Sequence, residues 1–253
     1  MTTSRRFEDK VALVTGAASG MGRATAVRLA NEGASVFGFD VEAQGLAETE
    51  VNVKEAGGEI TVCVTDVTSR EQCFDAVKAA LETYGRLDVV ANVAGIVRFA
   101  HSPEMPAEEW NRVLAVNLSG PFYICQAALP HLIETGGNIV NVASNAGLMG
   151  QAYTAAYCAS KHGLIGMSKS LAMEFIKHDV RINVVAPAGT DTPMNVGISF
   201  PEGVNPKLIK PYMGMRGMGR AEDVASLIAY VASDEARIIH GAVLSVDNGV
   251  MAG

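Results

Sequence analysis

The sequence predicts one α/β domain, a doubly wound parallel sheet of about seven strands with helices on both faces. Three observations carry that expectation. Short apolar runs alternate with helix-like stretches over the whole chain. The runs are apolar throughout rather than at every second position, as in strands covered on both faces. A glycine-rich turn joins the first run to the first helical stretch.

In order, Val11–Val14 precedes a helical stretch near 21–32, Ser35–Phe39 one near 42–56, and Ile60–Val64 one near 70–84. Leu87–Ala91 precedes a long helical region near 107–135, and Asn138–Val142 another near 152–177. Val180–Val185, a helix near 221–232 and a last strand at Ala242–Val246 close the series. No repeat, low-complexity tract or linker divides the 253 residues, so residues 1–253 are read as one domain. The rhythm breaks around 189–218, where glycines, prolines and Met194, Met213, Met215 and Met218 gather. Long irregular insertions tend to be functional, and adaptable methionines suit a lid over an apolar ligand; a surface excursion is the plainer alternative.

Composition narrows the function. Hydrophobic residues make up 49% and charged residues 19%, enough for a full core. A net charge of -7 argues against a nucleic-acid partner. The N-terminal residues lack the apolar run of a secretory signal, and no run approaches the ~20 apolar residues of a membrane helix. Cys63, Cys73, Cys125 and Cys158 have no metal-type spacing. A cytoplasmic protein with reduced thiols and no metal is expected; His101, His131, His162, His178 and His240 look solvent-facing or structural.

The first turn reads Thr15-Gly16-Ala17-Ala18-Ser19-Gly20-Met21-Gly22. Glycines let a backbone approach a pyrophosphate, and a helix N-terminus offers free N–H groups and a positive dipole end. Ser19, Gly20, Met21 and Gly22 are therefore candidate phosphate contacts. The second strand ends at Asp40, whose carboxylate can accept from both adenosine ribose hydroxyls and would repel a 2′-phosphate. This favours NAD(H) over NADP(H); a helix N-cap is the plainer role for Asp40. Asp66, with Val67 beside it, can reach the adenine or cap the helix that Thr68 or Ser69 starts.

The whole pattern resembles the short-chain dehydrogenase/reductase family in its compact single-domain branch, whose fold is Rossmann-like. Residues 15–22 match its glycine motif, and Asn92-Val93-Ala94-Gly95 its sheet-supporting, cofactor-lining element. Asn117 matches its active-site asparagine, and Ser144, Tyr157 and Lys161 its S-x12-Y-x3-K set. Pro187, Gly189, Thr190 and Thr192 fall in its P-G-x-x-x-T segment, with Ala188 where glycine is usual. The resemblance implies an oxidoreductase for a small-molecule alcohol or ketone, a cofactor site that includes Tyr157 and Lys161, and a homotetramer built through the long helices and last strand.

The residues can do that chemistry. Tyr157 and Lys161 are i,i+4 on a helix and share a face. A phenol of pKa roughly 10 needs about 4 kcal/mol of help to serve three units lower. A nearby ammonium and an oxidised nicotinamide ring supply charge of the right sign. Tyr157 would move the alcohol proton, Ser144 would hold the same oxygen, Lys161 would also hold the nicotinamide ribose, and Asn117 would carry a water to Lys161; a kink or cap is the other role open to Asn117. Ala146, Gly147, Leu148, Gln151, Tyr153, Val97, Phe99 and the lid are candidate substrate walls. They are largely apolar or small, which suits a hydroxysteroid, a cyclic alcohol or a similar ketone. The alternatives are a 3-oxoacyl thioester reductase and a catalytically silent dinucleotide-sensing or scaffold protein.

Overall fold

The computed structural model describes residues 5–195, 199–209 and 216–252. Seven strands form one sheet: β1 (Val11–Thr15), β2 (Ser35–Asp40), β3 (Glu59–Val64), β4 (Val89–Asn92), β5 (Asn138–Val142), β6 (Arg181–Pro187) and β9 (Val243–Val246). Their order is β3-β2-β1-β4-β5-β6-β9, every pair parallel. The predicted class is therefore the observed one, with strand limits moved by one or two residues.

Strand periodicity sorts the side chains into two layers. Ala12 and Val14 face one layer with Leu29 of α1 (Gly20–Asn31), Leu46 of α2 (Ala43–Glu55) and Ile228 of α8 (Ala221–Ala232). Val11 and Leu13 face the other with Val77 of α3 (Arg70–Tyr84), Leu132 of α5 (Gly120–Thr135) and Leu171 of α6 (Ala155–Glu174). Each fully buried Leu or Phe contributes roughly 1.5–3 kcal/mol of transfer free energy.

The region predicted as one helix near 107–135 is α4 (Ala107–Leu114), a π-helical turn at Ala115–Ser119, then α5. The extra residue of a π turn often sits at a functional place, and Asn117 lies inside this one. The run 107–135 is long and apolar enough to cross a membrane, contrary to the sequence reading. Yet Ile124, Cys125, Ala128 and Leu132 are fully buried in the domain, the pattern of a core helix. The 189–218 segment is anchored by a two-stranded ladder, β7 (Thr190–Asp191) beside β8 (Gly219–Arg220), and contains the short helix α7 (Pro206–Ile209). Met213 and Met215 lie outside the described residues.

The strand order reverses between β1 and β4. At such a switch point the loops after the two strands diverge to opposite faces and leave a crevice at their carboxyl ends.

Candidate active site

The crevice is a cleft of about 440 Å³. Gly16, Ser19, Gly20, Met21 and Gly22 line it, as the sequence predicts. Gly16 has φ +70°, and a side chain there would strike the backbone of Ala94. A Cβ at Gly22 would collide with the Gly16 carbonyl, so helix and loop pack closer than any side chain allows. Thr15 Oγ1 accepts from the Val93 and Ala94 N–H groups at 3.0 and 2.9 Å, pinning the opposite wall. Arg23 stiffens the loop by donating to the Ala18 and Gly45 carbonyls. Among the described residues no side chain caps α1, and its first turn carries no carboxylate. Its N–H groups and positive dipole end are left for an anion.

Asp40 lines the cleft and does not cap α2, whose N-cap is Glu42. Its carboxylate accepts from the Ala18 N–H at 3.2 Å and the Glu42 N–H at 3.1 Å, leaving lone pairs over. Asp66 lines the cleft with Val67 while its Oδ1 accepts from the Thr68 N–H and hydroxyl; Ser69 caps α3. Ala94, Gly95 and Thr192 complete the predicted lining.

Six predicted cofactor residues do not line this cleft: Asn92, Pro187, Gly189 and Thr190, and also Tyr157 and Lys161, which stand beside it. Asn92 is 2% exposed and its Nδ2 donates to Asn141 Oδ1 at 2.8 Å, tying β4 to β5. Pro187 ends β6, Gly189 receives the Gly219 N–H, and Thr190 is buried with its hydroxyl on the Ala188 carbonyl. Ala188 and Gly189 are not among the residues with positive φ, so Ala188 occupies the usual glycine position without strain. Sequence reasoning missed Asn111, Arg112, Ala115 and Val116, which bring α4 and the π turn to the rim.

Ser144, Tyr157 and Lys161 come together beside the cleft, in the set that the spacing predicts. Ser144 follows β5 and caps a short 3-10 turn. The Ser144 side chain lies near enough to the Tyr157 phenol to draw its ionisation downward. Lys161 is 3% exposed; its Nζ donates to the Val142 carbonyl at 2.9 Å and lies 5.7 Å from the Tyr157 ring centre. A methyl group on Gly95 would stand 3.4 Å from both this Nζ and Asn117 Oδ1, so the set abuts the cleft wall. Burial pushes the Tyr157 phenol up, with Ser144 pulling it back, and lowers Lys161 to about 8. In the protein alone, desolvation therefore outweighs the lowering of the phenol expected from Lys161.

Asn117 takes the structural role left open for it, inside the π turn. Its amide is fully buried, accepts from the Ile96 N–H, and donates to the Ile96 carbonyl and to Ser160. It fastens the β4 loop to α6 next to Lys161.

Of the substrate candidates, Ala146 is fully buried, its N–H on Ser144 Oγ at 3.1 Å, and offers no wall. Gln151 Nε2 donates to Asn145 Oδ1 at 2.9 Å. The Tyr153 hydroxyl accepts from the Asn205 N–H at 3.0 Å. His101 bonds the Glu202 carbonyl at 2.8 Å, and Phe99 meets Phe200 with ring centres 4.7 Å apart. The β4 loop and Tyr153 thus clasp the 199–205 stretch, and His101 is a structural contact, as is His240 between Ile182 and Ala172.

Comparison with known proteins gives the same answer. Residues 10–202 match the family model described as short chain dehydrogenase. A 3-oxoacyl-(acyl-carrier-protein) reductase of Thermotoga maritima is 38% identical, covering 97% of this chain and 99% of that protein. Levodione reductase superposes with a TM-score of 0.89 at 34% identity, covering 98% of this chain and 99% of that one. A short chain dehydrogenase from Mycobacterium paratuberculosis bound to NAD gives 0.91 at 30% identity, covering 98% and 100%. The glycine cleft and the Ser144, Tyr157 and Lys161 cluster are the parts of an oxidoreductase, and this chain belongs to the short chain dehydrogenase family.

Proposed function

We propose that this chain interconverts a secondary alcohol and its ketone with NAD(H), Tyr157 acting as general acid and base. The observation that carries the reading is the gathering of Ser144, Tyr157 and buried Lys161 beside the glycine-lined cleft. The cleft fits the cofactor: the space at Gly22 admits no Cβ, the α1 N-terminus is uncapped, and Asp40 presents a carboxylate where a 2′-phosphate would be repelled. The NAD-bound relative supports the same choice. NAD(H), when bound, supplies or accepts the hydride.

The chain's own residues do the rest. Gly16 to Gly22 hold the pyrophosphate, Asp40 the adenosine ribose and Lys161 the nicotinamide ribose. Ser144 donates to the substrate oxygen and fixes its position. Tyr157 takes the proton from that oxygen during oxidation and returns it during reduction. A second cation beside the phenol is what overcomes the desolvation that otherwise keeps it protonated. Levodione reductase, by its name, reduces a dione, which supports a ketone or alcohol as substrate. The active unit is a cytoplasmic homotetramer.

The Thermotoga maritima relative favours a second reading, reduction of a 3-oxoacyl thioester. Asp40 weighs against the phosphorylated cofactor that the resemblance links to that role, and the intact catalytic set weighs against a silent sensor. One experiment separates them. Purified protein is given a panel of secondary alcohols and ketones, and an acyl thioester, with each cofactor in turn. Turnover of cyclic alcohols or ketones with NAD(H) is expected; turnover of the thioester alone with NADP(H) contradicts the proposal.

A further inference from the structure

All four backbone polar groups of Ala17 and Ala18, in the turn between β1 and α1, are hydrogen-bonded to neighbouring elements. The Ala17 N–H donates to the Phe39 carbonyl at 3.2 Å, and the Ala17 carbonyl accepts from Thr49 Oγ1 at 2.8 Å. The Ala18 N–H donates to Asp40 Oδ2 at 3.2 Å, and the Ala18 carbonyl accepts from Arg23 Nη2. Arg23 and Thr49 act as one clamp. Arg23 Nε donates to Thr49 Oγ1 at 3.0 Å, and its Nη2 also meets the Gly45 carbonyl at 3.2 Å and Glu48 at 2.8 Å. Thr49 is fully buried, with its hydroxyl 3.0 Å from the Gly45 carbonyl as well. A Cβ at Gly45 would stand 2.6 Å from the Ala18 carbonyl oxygen, so α2 rests directly on the turn.

Asp40 depends on this clamp. Its carboxylate is anchored by the N–H groups of Ala18 and Glu42. Glu42 follows two residues later and moves with it. Among the described residues, Ala18 is the anchor that comes from another element. The Ala17 carbonyl and the Ala18 N–H belong to one planar trans peptide and point in opposite directions. Thr49 holds one end of that plane and Asp40 the other, so turning the plane loses both bonds. Arg23 holds the next carbonyl along.

Resting on the reading of Asp40 as the group that repels a 2′-phosphate, we infer that Arg23 and Thr49 are positioning residues for cofactor discrimination, which fix the Ala17–Ala18 peptide and so aim the Asp40 carboxylate at the adenosine ribose. A carboxylate rejects a second anion strongly only when it cannot swing away, because the repulsion falls with distance and hydration. Released from Ala18, Asp40 gains other rotamers. Neither Arg23 nor Thr49 lines the cleft, so both act through Ala18 and Asp40. The sign of the effect separates this role from simple charge. Loss of a nearby cation weakens the more negative cofactor more and widens the preference for NADH; loss of the clamp narrows it.

The test is equilibrium binding of NADH and of NADPH to the purified protein, read by nicotinamide fluorescence without substrate, with the ratio of the two Kd values as the readout. Arg23→Met should cut the NADH preference by about tenfold, as for one hydrogen bond from a charged group. Thr49→Val should cut it by about fivefold, as for a neutral one. Thr49→Ser, which keeps the hydroxyl, should hold the wild-type ratio. With Asp40→Ala already in place, neither Arg23→Met nor Thr49→Val should shift the ratio further. A wild-type ratio in both variants, a wider NADH preference, or equal weakening of the two cofactors overturns the inference, as does a further shift in the Asp40→Ala background. If Arg23→Met does not fold by circular dichroism, Thr49→Val decides alone. Failure of the underlying reading is distinct: there Asp40→Ala itself leaves the ratio unchanged, whatever Arg23 and Thr49 do.

Discussion

The two halves of the cleft are made of different material. Around β1 and β2 the site is backbone: a glycine turn, an uncapped helix end and one carboxylate held by two N–H groups. Around β5 and α6 it is side chains: two hydroxyls, a buried ammonium, and the amides of Asn145 and Gln151. The first half depends on what is missing, since Gly22 has no room for a methyl group. The second depends on where protons point. Binding should therefore be fragile to added atoms near β1, and chemistry to altered polarity near β5.

Gly22→Ala is the strongest way to break the first half. The new methyl group meets the Gly16 carbonyl, and relief requires helix and loop to part. NADH affinity, read by fluorescence titration, should fall by about 100-fold, the equivalent of about 3 kcal/mol of overpacking. Unchanged affinity would mean that the turn is not the phosphate cradle.

Asp40→Ala sharpens the same half. Wild type should prefer NAD(H), and the variant should lose about 10–100-fold of that preference as a desolvated like-charge contact disappears. The ratio of kcat/KM for the two cofactors reports it; an unchanged ratio places the discrimination elsewhere.

Lys161 offers a smaller test, in stability. Burial lowers its pKa from 10.5 to about 8. Between those values the unfolded chain keeps a proton that the folded chain has shed, so raising the pH through that window favours the folded state. Relative to Lys161→Met, the wild-type protein should gain up to about 3 kcal/mol as pH rises from 8 towards 10.5. Urea midpoints of both proteins across that range measure the gap, and a constant gap contradicts a buried cationic Lys161.

The same contrast explains what could be read from the sequence. All seven strands of the sheet, the glycine turn and Asp40 were legible because backbone periodicity and glycine spacing are local signals. The Ser144, Tyr157 and Lys161 set was legible because a strand end and one helix turn fix its spacing. The structure reassigns Asn92 and Asn117 to fastening strands and loops, because buried amides take whatever partners the fold supplies. Ala146 looked like a wall because its small side chain says nothing of direction; its backbone serves Ser144 instead. Arg23 and Thr49 went unnoticed, since their bonds to Ala18 and Ala17 follow from the packing of α1 and α2 on the turn and from no motif. Of the missed rim residues, Ala115 and Val116 lie in a π turn, which is invisible in apolar periodicity.

Tyr157→Phe tests the central claim most directly, with NADH affinity and alcohol turnover measured on the same preparation. The account predicts wild-type affinity with turnover lower by about 10²–10⁴, the usual worth of a positioned acid or base. Turnover at the wild-type level, with the cofactor still bound, would contradict it.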